Sequence, residues 1–221
     1  MDWRVIVVGG HTRSIGKTQL VCDLIAAFPE AKWIAGKITQ YGHGVCARNG
    51  KCCDCAPKEH ICALNWEARP SGTDSGRFLA AGAQRSFWLR TKQGYLAEGL
   101  PLLRAALQEC EREIDGETPN LILESNTLLE FVKPSLYLMV LDAAKEDFKQ
   151  SARWQMEHAS GFVLRRPIST TPSSGMRMGW SGILERDAGK PQFLQGEGEE
   201  LPAELRARVR VTLSNGAAIN L

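Results

Sequence analysis

The chain has 221 residues, enough to bury a sizeable core in one α/β domain. Its 27 basic and 25 acidic residues nearly cancel to a formal charge of +2, with no arginine-rich arm or aromatic-interleaved basic stripe, which excludes a general nucleic-acid binder. The opening MDWRVIVVGG has neither a charged leader before a cleavable apolar stretch nor an apolar run long enough to span a bilayer, so a soluble cytoplasmic protein with no membrane partner is expected.

In chain order, Asp2–Val8 reads as a buried strand and Lys17–Phe28 as a helix with Leu20, Leu24 and Phe28 on one face, ended by Pro29. Lys32–Lys37 is a second short strand. Regular patterning is lost from Thr39 to Ser71, where YGHGVCARNGKCCDCAPKEHIC reads as an insertion; structureless stretches of this length are usually functional or held by a metal. Thr73–Ala83 reads as a helix, Ser86–Arg90 as a strand and Leu100–Glu113 as an amphipathic helix. Two strands, Leu121–Glu124 and Leu136–Asp142, precede a helix over Asp147–His158 and a strand over Gly161–Arg165. Ser169–Gly182 is loop-like, Ile183–Gly196 suits a hairpin, and Pro202–Asn215 is helical.

Strands alternating with helices predict an α/β fold: a doubly wound, mostly parallel sheet in three layers with a cysteine-rich insertion after the second strand. Residues 1–168 would form this domain, with 39–71 as the insertion and 169–221 as an extension packed on it.

Directly after the apolar run VIVV comes GGHTRSIGKTQL, Gly9–Leu20. A strand, a glycine-bearing turn and a helix opening with Lys-Thr form the context in which backbone N–H groups and a helix N-terminus meet phosphate oxygens. Gly10, His11, Thr12, Arg13, Ser14, Ile15, Gly16, Lys17, Thr18 and Gln19 are therefore the expected nucleotide-binding residues. Lys17 would reach the terminal phosphates, and the Thr18 hydroxyl would ligate Mg²⁺. The alternative is a glycine turn that only caps a helix.

Of the seven cysteines, Cys22 and Cys110 fall in helical patterns and read as small buried apolar residues. Cys46, Cys52, Cys53, Cys55 and Cys62 crowd into the insertion with His43 and His60. Reduced cytosolic thiols argue against a disulfide framework, so Zn²⁺ or an iron–sulfur cluster is expected, with Cys46, Cys52, Cys55 and Cys62 as ligands. Free or redox-active thiols are the alternative. Arg48, Lys51 and Lys58 flank the run and would lower thiol pKa values.

The loop has five residues between Gly10 and Gly16, one more than the common phosphate-binding loop. In this form, GHTRSIGKT, it resembles the loop of dethiobiotin synthetase-like ATPases, and CTP synthase has a similar one; both fall in the signal-recognition/MinD/BioD class of P-loop NTPases. KWIAGKITQYGHG, TDSGRFLAAGAQRSFWLRT and NLILES with the following FVKP and SLYLMVLD resemble, in order, segments of the molybdopterin-guanine dinucleotide biosynthesis adaptor family.

The resemblance spans roughly Met1–Arg165 and implies a P-loop NTPase fold with ATP or GTP and Mg²⁺ as cofactors. It implies that Glu124, at a strand end, holds Mg²⁺ through water or polarises an attacking water. It also implies that Asp74 is a second metal contact or base; the alternatives are a solvated strand end for Glu124 and a helix cap for Asp74. Lys17, Glu124 and Asp74 are thus the catalytic candidates.

Two departures bear on specificity. Ser-Asn-Thr follows Glu124 where the resembled families carry Gly-Phe or Gly-Ala-Gly, leaving the acceptor open. Arg165 and Arg166 stand where guanine-specific members place Asn-Lys and an acid, which favours ATP over GTP.

Two functions follow from this reading. One is phosphoryl transfer or hydrolysis in cofactor biosynthesis or metalloenzyme maturation. The other is a nucleotide-switched metal-binding adaptor with little turnover, by analogy with nickel-insertion GTPases. Partners would be the nucleotide, an unidentified small molecule or protein and, since the class commonly dimerises, a second copy.

Overall fold

The structure, a computed structural model, describes residues 3–42, 62–113, 120–145, 147–166 and 189–215. Alternating side chains decide its layering. Along β1 (Val5–Gly10), Val5 and Val7 enter one core while Ile6 and Val8 enter another, and the whole strand is buried. β5 (Leu121–Glu124) and β6 (Leu136–Leu141) divide the same way, with Leu121, Leu123, Tyr137 and Met139 on one side and Ile122, Leu138 and Val140 on the other. Strands apolar on both faces belong in the middle of a sheet covered on both sides.

That cover is helical. α1 (Lys17–Ala27), α2 (Asp74–Ala80) and α5 (Ala203–Asn215) supply Leu20, Leu24, Phe78, Leu205 and Val209 to the core containing Ile6. α3 (Leu96–Glu113) and α4 (Gln150–Gln155) supply Leu103, Leu107, Cys110 and Ala152 to the other. Cys22 and Cys110 are buried as expected, and burial pushes both thiols up to about 11. The result is a three-layer, doubly wound α/β fold.

The remaining strands are β2 (Ile34–Tyr41), β3 (Cys62–Trp66), β4 (Arg85–Lys92), β7 (Gly161–Leu164) and β8 (Gln192–Leu194). The sheet runs β3-β4-β2-β5-β1-β6-β7-β8, and every neighbouring pair is parallel except β3–β4. Register then positions the site. Val8 of β1 and Lys37 of β2 both stand opposite Glu124, and Gly10 stands opposite Val140. The carboxyl ends of these strands open at one level, where open α/β sheets bind ligands.

The elements depart from expectation in four places. β2 continues to Tyr41, and residues 62–66, expected to be unpatterned, form the antiparallel edge strand β3; Leu64 and Trp66 pack against the core. α3 begins at Leu96, not Leu100, because Leu96 is itself a core residue and Pro101 removes only one bond near the helix start. The helix expected through His158 tightens to a 3₁₀ turn over Met156–His158. Gln192–Leu194 adds to β7 in parallel and buries Phe193; the first part of the expected hairpin, residues 183–188, lies outside the described residues. No helix among the described residues is long and apolar enough to cross a membrane.

Candidate functional site

The turn from β1 into α1 is shaped by its carbonyl groups. The Asn126 Nδ2 donates to the Gly10 carbonyl at 2.9 Å, while Gly10 N–H donates back to Asn126 Oδ1 at 2.8 Å. The Lys149 N–H meets the His11 carbonyl at 3.0 Å, and Lys17 Nζ meets the Thr12 carbonyl at 2.5 Å. Arg165 donates to the carbonyls of Ile15 at 3.3 Å and Gly16 at 2.6 Å. With the oxygens claimed from outside, the N–H groups of Thr12 to Gly16 make no hydrogen bond among the described residues. Such a run of backbone amides suits an anion.

Two backbone features make the turn possible. Gly16 has φ +86°, and a Cβ there would lie 2.7 Å from Arg165 Nε. At Gly10 a Cβ would lie 2.6 Å from the Ile15 side chain. The N-terminus of α1 carries no side-chain cap and no acid in its first turn, so its positive end stays open toward the turn.

The loop is braced on both flanks. Thr12 Oγ1 donates to Asp147 Oδ2 at 2.5 Å, and the His11 ring, fully buried, lies 5.2 Å from the Phe148 ring. On the other flank, Arg165 also donates to Gln195 Oε1 at 3.0 Å, and Gln195 Nε2 reaches Asp23 of α1 at 2.9 Å. Lys17 is the cation at the centre. Burial pushes its ammonium down to about 8, with Lys37 and Lys149 working in the same direction and Glu124 opposing them.

Beside the loop lies a second polar group. Thr18 Oγ1 donates to Glu124 Oε2 at 2.6 Å, and Lys37 Nζ meets Glu124 Oε1 at 3.0 Å while also pairing with Asp74. Glu124 is only 5% exposed. Burial acts to lower the Lys37 pKa, but Glu124 and Asp74 outweigh it and hold the ammonium above the ordinary lysine value. Period-2 alternation along β2 and β5 turns Lys37 and Glu124 to the face covered by α1 and α2, whose first turns bring Thr18 and Asp74.

Asp74 is the first residue of its helix, not the cap. The cap is Thr73, whose side chain accepts from the Gly76 N–H. Glu67, just beyond β3, accepts from Thr73 Oγ1 at 3.2 Å and Ser75 Oγ at 2.5 Å, and so holds that first turn in place.

The fold thus gathers Lys17, Thr18, Glu124 and Asp74, remote in sequence, at one open cleft. Arg13 to Gln19 line this cleft, while Gly10, His11 and Thr12 form the limb of the loop behind it. Thr18, Glu124 and Asp74 offer oxygen atoms only, a donor set that suits Mg²⁺.

Of the cysteine candidates, Cys46, Cys52 and Cys55 lie outside the described residues. Cys62 sits on the edge strand with β4, β2 and β5 between it and β1, its Sγ 3.5 Å from the Tyr95 carbonyl. Among the described residues no group of three His, Cys, Asp or Glu side chains is placed to hold a metal.

Lys37, Asn126 and Arg165 are the site residues that sequence reasoning missed. For Lys37 the signal was present: a lysine closing the apolar run WIAG has no reason to be there unless something charged awaits it. Asn126 and Arg165 gave no such signal, since their partners are backbone carbonyls more than a hundred residues away.

The architecture is a three-layer α/β sheet with an amide-lined turn and an open helix N-terminus at the carboxyl ends of its parallel strands. No family model matches the chain, and no curated protein matches it. Among solved structures, LpxK from Aquifex aeolicus, described as an "apo" form in complex with ATP, is similar at 15% identity with a TM-score of 0.47, covering 97% of this chain and 68% of that one.

Proposed function

We propose that the chain binds a nucleoside triphosphate with Mg²⁺ and hydrolyses it or transfers its γ-phosphoryl group to an acceptor. One observation carries this reading: the carbonyls of the β1–α1 turn are engaged by Asn126, Lys149, Lys17 and Arg165, leaving an amide-lined hollow at an open helix N-terminus. Phosphoryl transfer demands positioning and charge stabilisation rather than covalent chemistry, and the residues here supply both.

In this reading the loop amides hold the β- and γ-phosphates. Lys17 exchanges its contact with the Thr12 carbonyl for phosphate oxygens. Mg²⁺, held by Thr18 and Glu124 with Asp74 nearby, would neutralise charge developing on those oxygens. Asp74 or Glu124 orients the attacking hydroxyl or water, and Lys37 adds positive charge beside them. The end of β7 presents Arg165 to the loop carbonyls and offers no carboxylate to a guanine edge, which favours ATP.

The cysteine run at 46–62 supports a second reading, in which the same nucleotide site switches a metal-binding adaptor with little turnover in metalloenzyme maturation. A homodimer belongs to either reading.

Calorimetric titration of ATP and GTP into the full chain, with and without Mg²⁺, tests the first proposal. Mg²⁺-dependent binding that weakens about 30-fold or more in Lys17→Ala is the expected result. Absence of binding for both nucleotides would sink it. Zinc and iron content of the anaerobically purified chain, alongside turnover in Cys52→Ser, separates the two readings: lost metal with intact turnover favours the enzyme, and lost metal in a chain that never turns over favours the adaptor.

A further inference from the structure

We propose that the Lys37 ammonium is a built-in counter-cation for the Asp74–Glu124 carboxylate pair, competing with a divalent cation for the same oxygen atoms. The placement is structural rather than incidental. Parallel register sets Lys37 directly opposite Glu124 on the neighbouring strand, so the two side chains rise side by side from the sheet. From there Lys37 also reaches Asp74 on the first turn of α2. A carboxylate buried as deeply as Glu124 needs a partner, and one side of it already faces a neutral hydroxyl, Thr18. Lys37 supplies the charge on the other side.

Lys37 occupies Glu124 Oε1 and Asp74, the two carboxylates expected to meet Mg²⁺, while Thr18 engages Glu124 Oε2. A cation bound there has to displace the ammonium. The four-carbon stem of lysine lets the head group swing away without movement of β2. In the nucleotide-free protein the pair is therefore satisfied, and a divalent ion gains little by binding alone. Metal affinity would become appreciable when a triphosphate brings further oxygens and gives the released Lys37 a new anionic partner. This order of events rests on the nucleotide reading above; the competition itself is a property of the nucleotide-free chain.

The test uses Mn²⁺ alone on the full nucleotide-free chain, with free ion counted by electron paramagnetic resonance. Lys37→Met should bind Mn²⁺ about tenfold or more tightly than wild type, because a positive charge within contact distance is removed. Lys37→Arg should stay as weak as wild type. Combining Lys37→Met with Glu124→Gln should abolish the gain, which places the ion at this pair and not at the cysteines. Lys37→Gln, a second neutral replacement, decides the matter if Lys37→Met does not fold.

If neither neutral variant gains affinity, or if the gain survives Glu124→Gln, the proposal is overturned. Binding of a fluorescent ATP analogue is measured separately on wild type. Its absence would remove the nucleotide reading and leave the Mn²⁺ comparison standing, whereas its presence with unchanged Mn²⁺ affinity would remove only this proposal.

Discussion

Two polar regions meet at the mouth of the cleft, and they are held together in opposite ways. The β1–α1 turn is fastened from outside: its carbonyls are taken by Asn126, Lys149 and Arg165, from three separate segments. The carboxylate region is fastened to itself, Thr18 to Glu124 to Lys37 to Asp74. The turn can accept a ligand without losing any contact except that of Lys17. The carboxylate region must exchange at least one internal partner before it can hold anything new. One half of the candidate site is prebuilt, and the other is held in a closed arrangement that a ligand would have to open.

The comparison breaks most visibly if the outer fastening is cut. Arg165→Met removes the donors to Ile15, Gly16 and Gln195 at once, leaving the Ile15 carbonyl without a partner and Gly16 with only the Leu20 N–H. A loss of about 3 kcal/mol in denaturant unfolding is expected, together with weaker nucleotide binding. Asn126→Ala should cost less, about 2 kcal/mol, because two neutral hydrogen bonds to Gly10 are lost. If either variant lost nucleotide affinity with unchanged stability, the turn would not be fastened in the way described.

Much of this architecture is legible in the sequence, and the parts that are not share a cause. β5 can be read to the residue, because Leu-Ile-Leu-Glu between Asn120 and Ser125 is apolar until its last position. The start of α1 at Lys17 is equally clear from the glycine before it. Thr18 stands out from the loop motif itself, whereas Glu124 and Asp74 are marked by the family resemblance and, read alone, pass for a solvated strand end and a helix cap. β3 is hidden because its short alternation, Leu64 and Trp66, follows directly on a run of cysteines and glycines. Arg165 reads in sequence as a residue that fails to recognise a base, whereas it serves the backbone of a loop met 149 residues earlier. Contacts from side chain to distant backbone leave no periodicity, so composition and spacing cannot announce them.

Titration sharpens the comparison more gently. Lys17 is pushed down to about 8 in the free protein, against an ordinary 10.5. The unfolded chain therefore holds more protons between these values, and the contribution of Lys17 to stability rises with pH through that window. Nucleotide affinity should move the other way. Below about pH 8 the ammonium is charged before the phosphate arrives; above it a proton must be taken up on binding. An affinity loss of about fivefold between about pH 8 and about pH 9 is expected, with proton uptake visible as a buffer-dependent binding heat. Lys17→Arg, charged throughout, should be flat over the same range; a parallel decline in that variant would point to another group.

The smallest effect belongs to Glu67, and its smallness is informative. Its carboxylate accepts from the hydroxyls of Thr73 and Ser75 at the start of α2, so it governs where Asp74 stands. Glu67→Gln keeps one acceptor oxygen and introduces an amide donor. Hydroxyls can rotate to accept what they formerly donated, unlike the loop carbonyls, which only accept. The expected cost is therefore about 1 kcal/mol or less, against about 3 kcal/mol for Arg165→Met. Removing the donors from a carbonyl brace strands groups that have no other role to take, whereas a change of donor among hydroxyls is absorbed. If Glu67→Gln proved as damaging as Arg165→Met in the same denaturation experiment, the carboxylate side would be as rigidly built as the β1–α1 turn, and the contrast between them would fail.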